Sequence, residues 1–273
     1  MDTSLVLAAA SGIAAAVLFA YVGHRLGTRV VTTPEGRAAF TCFRVWWYAV
    51  AATTALTPFR LVLYMTGNLP PWLYIATGNL SVVVVCVALW ALLCNLAYLY
   101  TGTVRWWGTF ATFYFLVGAF FLGLSAWAGE PTYITDDGWS LQAASERSMP
   151  LWGALLALLA LVGPQLAGAL AYMRLLRHAA GRTVRYRIVL VSSSILLWFG
   201  STVAATLLAP EGLLGFLVTR LAGVVSAVLV LFAYDPPAAL RRRLGVKRAG
   251  EETPQQPSII AKAAKPMETG TSQ

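Results

Sequence analysis

Long apolar runs separated by short polar segments are the main feature of this chain. Crossing the hydrocarbon core of a bilayer takes roughly 20 apolar residues in a helix, and seven runs reach that length. They cover residues 4–23, 39–66, 72–100, 106–128, 150–176, 187–208 and 212–234. The pattern therefore predicts an all-α membrane protein, with a bundle of seven transmembrane helices.

The apolar runs also predict how the chain is divided. Residues 1–237 form one transmembrane domain in this interpretation. Residues 238–250 are rich in arginine and lysine and predict a basic segment that lies on the membrane surface. Residues 251–273 are rich in Pro, Thr, Gln, Lys and Ala, a composition that predicts a disordered tail.

Composition and charge agree with a multi-pass protein of the cell membrane. The chain is 58% hydrophobic and 11% charged, whereas a soluble domain has about 25% charged residues. The net charge of +9 comes from arginines in alternate loops and in the C-terminal segment. Because positive loops stay inside, the N-terminus is predicted outside and the C-terminus in the cytoplasm. The predicted partners are the lipid bilayer, anionic inner-leaflet lipids and a cytoplasmic signalling protein, and not nucleic acid.

Two arginines within the apolar runs are the candidate ligand-binding residues. Arg220 lies in the middle of the last run, and Arg60 lies in the second run beside Pro58, while no acidic residue occurs inside any run. A charge at bilayer depth is costly, so such a residue marks a functional site by default. In a sequential ring the last helix closes against the first two. Arg60 and Arg220 are therefore predicted to line an outer cavity for a small anion or a lipid head group.

Other polar residues either complete that cavity or have structural roles. Gln165 and Asn79 are predicted to add amide groups to the cavity, but they and Asn95 equally suit hydrogen bonds between helices. The arginines themselves suit a structural alternative, bonding to carbonyls freed by Pro58 and to acids of the loop at 129–150. Those acids are Glu130, Asp136, Asp137 and Glu146. The loop is predicted either to cover the outer mouth or to be solvated.

At the cytoplasmic side, Asp235 is predicted to lock helices together through an ion pair with Arg44, Arg185 or Arg187. The alternative is a simple turn that ends the last helix at Asp235-Pro236. Tryptophans near the predicted span ends are interpreted as interface anchors. They are Trp46, Trp47, Trp72, Trp106, Trp107, Trp139 and Trp152.

The chain offers little for catalysis, and we expect neither an enzyme nor a resident cofactor or metal. Its two histidines, His24 and His178, lie at predicted helix ends. The cysteines at positions 42, 86 and 94 have no histidine partners for a metal site. The three lysines lie in the C-terminal segment, which excludes a retinal Schiff base in the last helix.

Two family resemblances bear on function. Tyr172-x-x-Leu175-Leu176-Arg177, then residues 182–187, then Trp198-Phe199-Gly200 resemble the fifth-to-sixth helix hinge of the seven-helix sensor region of prokaryotic histidine kinases. That resemblance implies a sensory input module without the kinase part. Pro164-Gln165 is similar to the motif of PQ-loop transporters, which implies a small-solute transporter. We therefore expect a sensor or receptor-like protein, with a transporter or a structural subunit as alternatives.

Overall fold

Helices make up almost all of the chain that the structure, a computed structural model, describes. The described residues are 3–27, 33–145, 147, 150–177, 179, 181–208 and 212–245. The helices are α1 (Thr3–Leu26), α2 (Pro34–Met65), α3 (Pro71–Thr101), α4 (Trp107–Ala128), α5 (Leu151–Ala157), α6 (Gly163–Leu175), α7 (Arg182–Leu208), α8 (Gly212–Phe216), α9 (Ala222–Tyr234) and α10 (Ala238–Leu244). Two π-helical segments, π1 (Leu158–Val162) and π2 (Leu217–Leu221), interrupt the fifth and the last helical stretch.

Several of these helices are long and apolar enough to cross a membrane. Among the described residues, α1, α3 and α4 each meet both requirements. The apolar α9 and the basic α10, which bend by 59° at Asp235–Pro237, would together make a fourth span. The chain is therefore a mainly helical membrane protein, as its apolar runs predicted. The count of seven spans stays a prediction for the other helical stretches. The predicted tail, residues 251–273, lies outside the described residues.

The helices pack into a ring with one helix outside it. α1 packs against α2 and α9, α2 packs against α3, α3 against α6, α6 against α7, and α7 against α9. α4 packs mainly against α3, on the outside of this ring. The sequential ring predicted from the chain order therefore does not describe α4. The last helical stretch packs against α1, as that prediction required, but it does not pack closely against α2 among the described residues, which the prediction also required.

The two tryptophans of α2 are core residues. Trp46 and Trp47 are only 2% and 1% exposed, and the Trp47 ring stacks on Phe19 with 5.8 Å between ring centroids. Phe43 joins the same cluster, 5.9 Å from each tryptophan ring. The prediction that Trp46 and Trp47 are interface anchors is wrong. α2 begins at Pro34, so both lie about 18 Å into the helix and far from its end.

Polar side chains join neighbouring helices inside the bundle. Ser194 Oγ of α7 donates to the carbonyl of Ser226 in α9, and Ser226 Oγ donates back to the carbonyl of Ser194, each at 2.9 Å. Asn95 Nδ2 of α3 donates to the hydroxyl of Tyr172 in α6 at 2.7 Å. Asn95 therefore has the structural role that the sequence offered as its alternative.

The long loop after α4 folds into a β-hairpin. β1 (Pro131–Asp136) pairs antiparallel with β2 (Leu141–Ser145). Leu141 packs with Leu5, Leu61 and Phe216, and the Trp139 ring lies 4.6 Å from the Phe216 ring. The hairpin thus covers the ends of α1, α2 and α8, which we call the hairpin end of the bundle. Of the two predictions for this loop, the covering role agrees with these contacts. The opposite end of the bundle is called the basic end.

Candidate functional site

The two arginines predicted to form a site lie at the same end of the bundle. Arg60 lies five residues before the end of α2, and Arg220 lies eight residues after the start of α8. These separations place them about 8 and 12 Å from the hairpin end of their helices. Leu61, next to Arg60, and Phe216, one turn before Arg220, belong to the same apolar cluster at this end. Both arginines therefore lie at the same end of the bundle, and their convergence on one cavity stays a prediction.

Arg60 is held in place by α3. Its Nε donates to Thr77 Oγ1 at 2.7 Å, and its guanidinium carbon lies 5.0 Å from the centroid of the Tyr74 ring. Thr77 Oγ1 in turn lies within hydrogen-bond distance of the carbonyls of Leu73 and Tyr74. These contacts orient the guanidinium of Arg60 and occupy its Nε–H group. The observed bond goes to a hydroxyl of the next helix and not to a carbonyl freed by Pro58.

Arg220 lies in the π-helical segment of the last helical stretch. Its Nε atom is closed off from solvent and has no hydrogen-bond partner among the described residues. An unpaired buried N–H of a charged group is costly, and an acceptor bound at Arg220 Nε would offset this cost. α1 and α7 both pack against π2. π-Helical turns inside α-helices are frequent at functional sites.

The acids of the hairpin are occupied elsewhere. Asp136 Oδ2 accepts a hydrogen bond from the hydroxyl of Tyr64 at 2.9 Å. Asp137 accepts from the backbone N–H groups of Trp139, Ser140 and Gly212, at 2.9, 2.7 and 3.1 Å. No ion pair joins Asp136 or Asp137 to either arginine in the part of the chain that is described. The remaining acid candidates are Glu130, which is exposed, and Glu146, which lies outside the described residues.

The two amides predicted to complete the site form no hydrogen bond to Arg60 or Arg220 among the described residues. Gln165 is 3% exposed and donates from Nε2 to the carbonyl of Leu161 at 3.0 Å, while its Oε1 has no partner among the described residues. No hydrogen bond within those residues links Gln165 to Arg60 or Arg220. Asn79 lines a different cavity, between α3 and α4. Neither amide is therefore among the hydrogen-bond partners of the two arginines in the described part of the chain.

Sequence reasoning missed the residues that position Arg60. Tyr74 and Thr77 are three residues apart in α3, so they share one face of that helix. The spacing was visible in the sequence. What the sequence lacked was the alignment of α2 against α3, which decides that this face meets Arg60.

At the basic end, Asp235 forms an ion pair with Arg25, with 3.2 Å between Arg25 Nη2 and Asp235 Oδ2. Arg25 was not among the predicted partners, and it meets Asp235 because α1 packs beside α9. The predicted partners donate to backbone carbonyls. Arg44 Nε bonds to Gly23, Arg185 Nε to Ala179 and Arg187 Nε to Ala233. The bond of Arg187 joins α7 to the end of α9.

Acid is expected to loosen the hairpin from α8. Burial of Asp137 opposes its charge, but hydrogen bonds from the N–H groups of Trp139, Ser140 and Gly212 lower its pKa below the ordinary value of 3.8. A lowered folded pKa stabilises the contact above the unfolded pKa, and that contribution is lost as the pH falls through the folded value. We expect the protection factor of the Gly212 amide, which is the unprotected exchange rate divided by the observed rate at the same pH, to fall as the pH drops below about 4.

The substitution Asp137→Asn supplies the control for this acid response. It removes the titrating group, so exchange at Gly212 should already be fast at neutral pH and should lose its acid-dependent step. Equal protection of Gly212 in both proteins at neutral pH would contradict the role given to Asp137.

Metal-binding clusters and relatives add no further assignment. The described residues contain no group of three or more His, Cys, Asp or Glu side chains placed to hold a metal ion. Comparison of the chain with protein-family models and with curated proteins finds no match. The function is therefore argued from the residues of the chain itself.

Proposed function

We propose that this protein is a seven-span, receptor-like module of the cell membrane that binds a small anion between Arg60 and Arg220. The observation that carries the proposal is the buried Arg220 Nε without a partner, at the same end of the bundle as Arg60, with no carboxylate of the described residues paired to either arginine. Like charges repel strongly in a site of low dielectric constant. A bound anion would replace that repulsion by two attractions and would give Arg220 Nε an acceptor.

The chemistry of the pair favours a carboxylate or a phosphate. Guanidinium groups present planar pairs of N–H donors that match the oxygens of these anions. Arg60 already has its Nε on Thr77, so its terminal nitrogens are the ones left for a ligand. The proposed orientation places the hairpin end outside, because the loops of the opposite end carry most of the arginines. The anion would then arrive from the external side.

The proposed response is a change in the arrangement of the last helices. Arg220 belongs to π2, and the fifth helical stretch carries a second π turn, π1, directly before Gly163-Pro164-Gln165. A ligand shifts such an equilibrium only by its differential affinity for the two arrangements. The resemblance to the sensor region of histidine kinases supports a ligand-dependent rearrangement of this kind. In this proposal a signalling partner binds at the basic end, and α10 lies on anionic lipid.

Thermal unfolding of the purified protein tests the proposal. Inorganic phosphate and acetate are added separately at constant ionic strength, with chloride as the reference. We expect one of them to stabilise the wild type, by about 2.7 kcal/mol at a hundredfold excess over its Kd. Arg220→Leu should abolish this gain. Without anion it should be more stable than the wild type, because an uncompensated charge has been removed.

The matched control is Arg37→Leu, which removes an exposed arginine from the other end of α2. It should keep the full response to the anion. If Arg220→Leu destabilises the protein in chloride and neither probe stabilises the wild type, Arg220 has a structural role and the proposal is wrong.

A second candidate function is transport of the same anion. Thr53 lies two helical turns before Arg60 on the same face of α2, and its buried hydroxyl has no hydrogen-bond partner among the described residues. A polar group at that depth, together with the interruptions of regular α-helix at π1 and π2, is suited to the passage of an anion through the bundle. Uptake of labelled phosphate or acetate into proteoliposomes, lost in Arg220→Leu, would favour transport. Binding without uptake would favour the receptor.

A further inference from the structure

A second cavity lies on the outside of the ring, between α3, α4 and the hairpin. Its volume is about 350 Å³. Its lining includes Tyr74 and Val82 of α3, Phe121 and Trp127 of α4, and Pro131 of β1. Tyr74 and Val82 are eight residues apart, so the cavity follows α3 for about 12 Å. It is an elongated apolar slot that runs from the hairpin end into the bundle.

Two cations lie against residues of this lining at its hairpin end. The guanidinium carbon of Arg147 is 5.5 Å from the Trp127 ring centroid, and Arg147 Nη1 donates to the Trp127 carbonyl at 3.1 Å. Arg60 stacks on the lining residue Tyr74. Its Nη2 would lie 3.7 Å from a Cβ atom placed on Gly78, which is also a lining residue. Positive charge is thus concentrated where the apolar slot ends.

The surroundings of the cavity point to lipid. The lining residue Pro150 directly precedes α5, whose side chains Leu151 and Leu155 are exposed and apolar. α4 packs mainly against α3, so its other faces also carry exposed apolar side chains such as Phe115 and Leu116. In a membrane protein such surfaces contact acyl chains. The slot is therefore adjacent to the acyl chains that would fill it.

We propose that this cavity binds an acyl chain of an anionic membrane lipid, whose phosphate lies at Arg147 and Arg60. Length, apolar lining and position beside lipid suit a chain parallel to α3, and the volume falls within the range of ligand pockets. The side chains of Asn79 and Ser125 are the polar members of the lining. Trp127 at the head-group level is typical of a membrane interface. This site goes beyond the proposed anion function, because its acyl-chain slot and Arg147 are not part of the anion site, although both sites use Arg60.

Glu130 is the acid beside the slot, since it lies between the lining residues Gly129 and Pro131. Its side chain is exposed, and no contact joins it to Arg60 or Arg147 among the described residues. Arg147 is therefore left to a phosphate, and Arg60 is shared between this site and the proposed anion site.

Native mass spectrometry of the delipidated full chain tests the proposal. The probes are phosphatidylglycerol and phosphatidylcholine with the same acyl chains. We expect one phosphatidylglycerol to bind about fivefold more tightly than phosphatidylcholine, with this preference lost in Arg147→Gln. Ser125→Phe fills the slot and should weaken both lipids about tenfold. Ala126→Phe, the next residue of α4 but exposed and outside the lining, should bind as the wild type does.

Several outcomes would overturn the proposal. One is equal lipid binding by Ser125→Phe and Ala126→Phe when both have wild-type circular dichroism. If Ser125→Phe does not fold, Ala143→Phe replaces it, because this variant fills the slot from the exposed hairpin side. Lipid binding by Ala143→Phe as tight as that of the wild type would also overturn the proposal. Glycerophosphoglycerol without acyl chains is a third probe. Binding of this head group as tight as that of the lipid would exclude a chain in the slot.

The two proposals can fail separately. Arg220→Leu should retain phosphatidylglycerol binding, because Arg220 does not line the slot. Ser125→Phe should retain the thermal stabilisation by phosphate or acetate. Loss of lipid binding in Arg220→Leu would show that the lipid occupies the arginine pair instead, which would contradict the separate site.

Discussion

Replacement of Trp47 by alanine is expected to lower the free energy of unfolding by roughly 3–5 kcal/mol. The Trp47 ring is fully enclosed by α1 and α2 and contacts Phe19, Phe43 and Trp46. Within a membrane, helices associate largely through close packing, so a cavity of this size removes attraction that lipid cannot replace. Unfolding by sodium dodecyl sulfate in mixed micelles, followed by circular dichroism, measures the change.

Trp72→Ala is the matched control, since it removes the same ring from a position that is 60% exposed at the start of α3. We expect a change within about 0.5 kcal/mol. Equal losses in the two variants would mean that Trp47 is no more important for packing than a surface tryptophan, and would contradict the aromatic core.

The substitution Gly12→Leu is expected to cost about 1–3 kcal/mol by overpacking. A Cβ atom on Gly12 would lie 3.1 Å from Cγ and 3.2 Å from Cδ of Pro58, whose ring is buried between α1 and α2. A proline ring cannot rotate away as a long side chain can. The larger residue must therefore move α1 from α2 close to the hairpin end, near Arg60. The same unfolding assay measures the loss.

Gly108→Leu tests whether this cost comes from the close contact or from the loss of a helical glycine. Gly108 lies in α4, and no atom lies within 4 Å of the Cβ it would carry. Leucine is a better helix former than glycine by up to about 1 kcal/mol, so stability should stay equal or rise. A stable Gly12→Leu protein would show that α1 and α2 do not depend on this approach.

The hairpin connects the surface of the molecule to the helix that carries Arg220. Asp137 accepts from the amide of Gly212 at the start of α8, and Trp139 stacks on Phe216 at its end. Arg220 follows one turn later, in π2. A movement of the hairpin therefore acts directly on the helical stretch of Arg220.

Much of the candidate site could be predicted because the cost of a charge in an apolar helix depends only on local sequence. Arg60 and Arg220 are charged residues inside apolar runs, so they can be recognised without knowing how the helices pack. The partner of Asp235 could not be predicted in this way. Several arginines lie near the basic end, and only the packing of α1 beside α9 selects Arg25.

The sequence by itself determined that this is a helical membrane protein with two arginines among its apolar segments. Length and polarity of a run are properties of consecutive residues, and a bilayer acts on them directly. Tertiary structure alone decided the burial of Trp46 and Trp47, the position of α4, the covering hairpin and the cavity beside Asn79. Each depends on how far one helix is shifted and rotated against another. Many such arrangements satisfy the same apolar pattern, and side-chain packing selects among them.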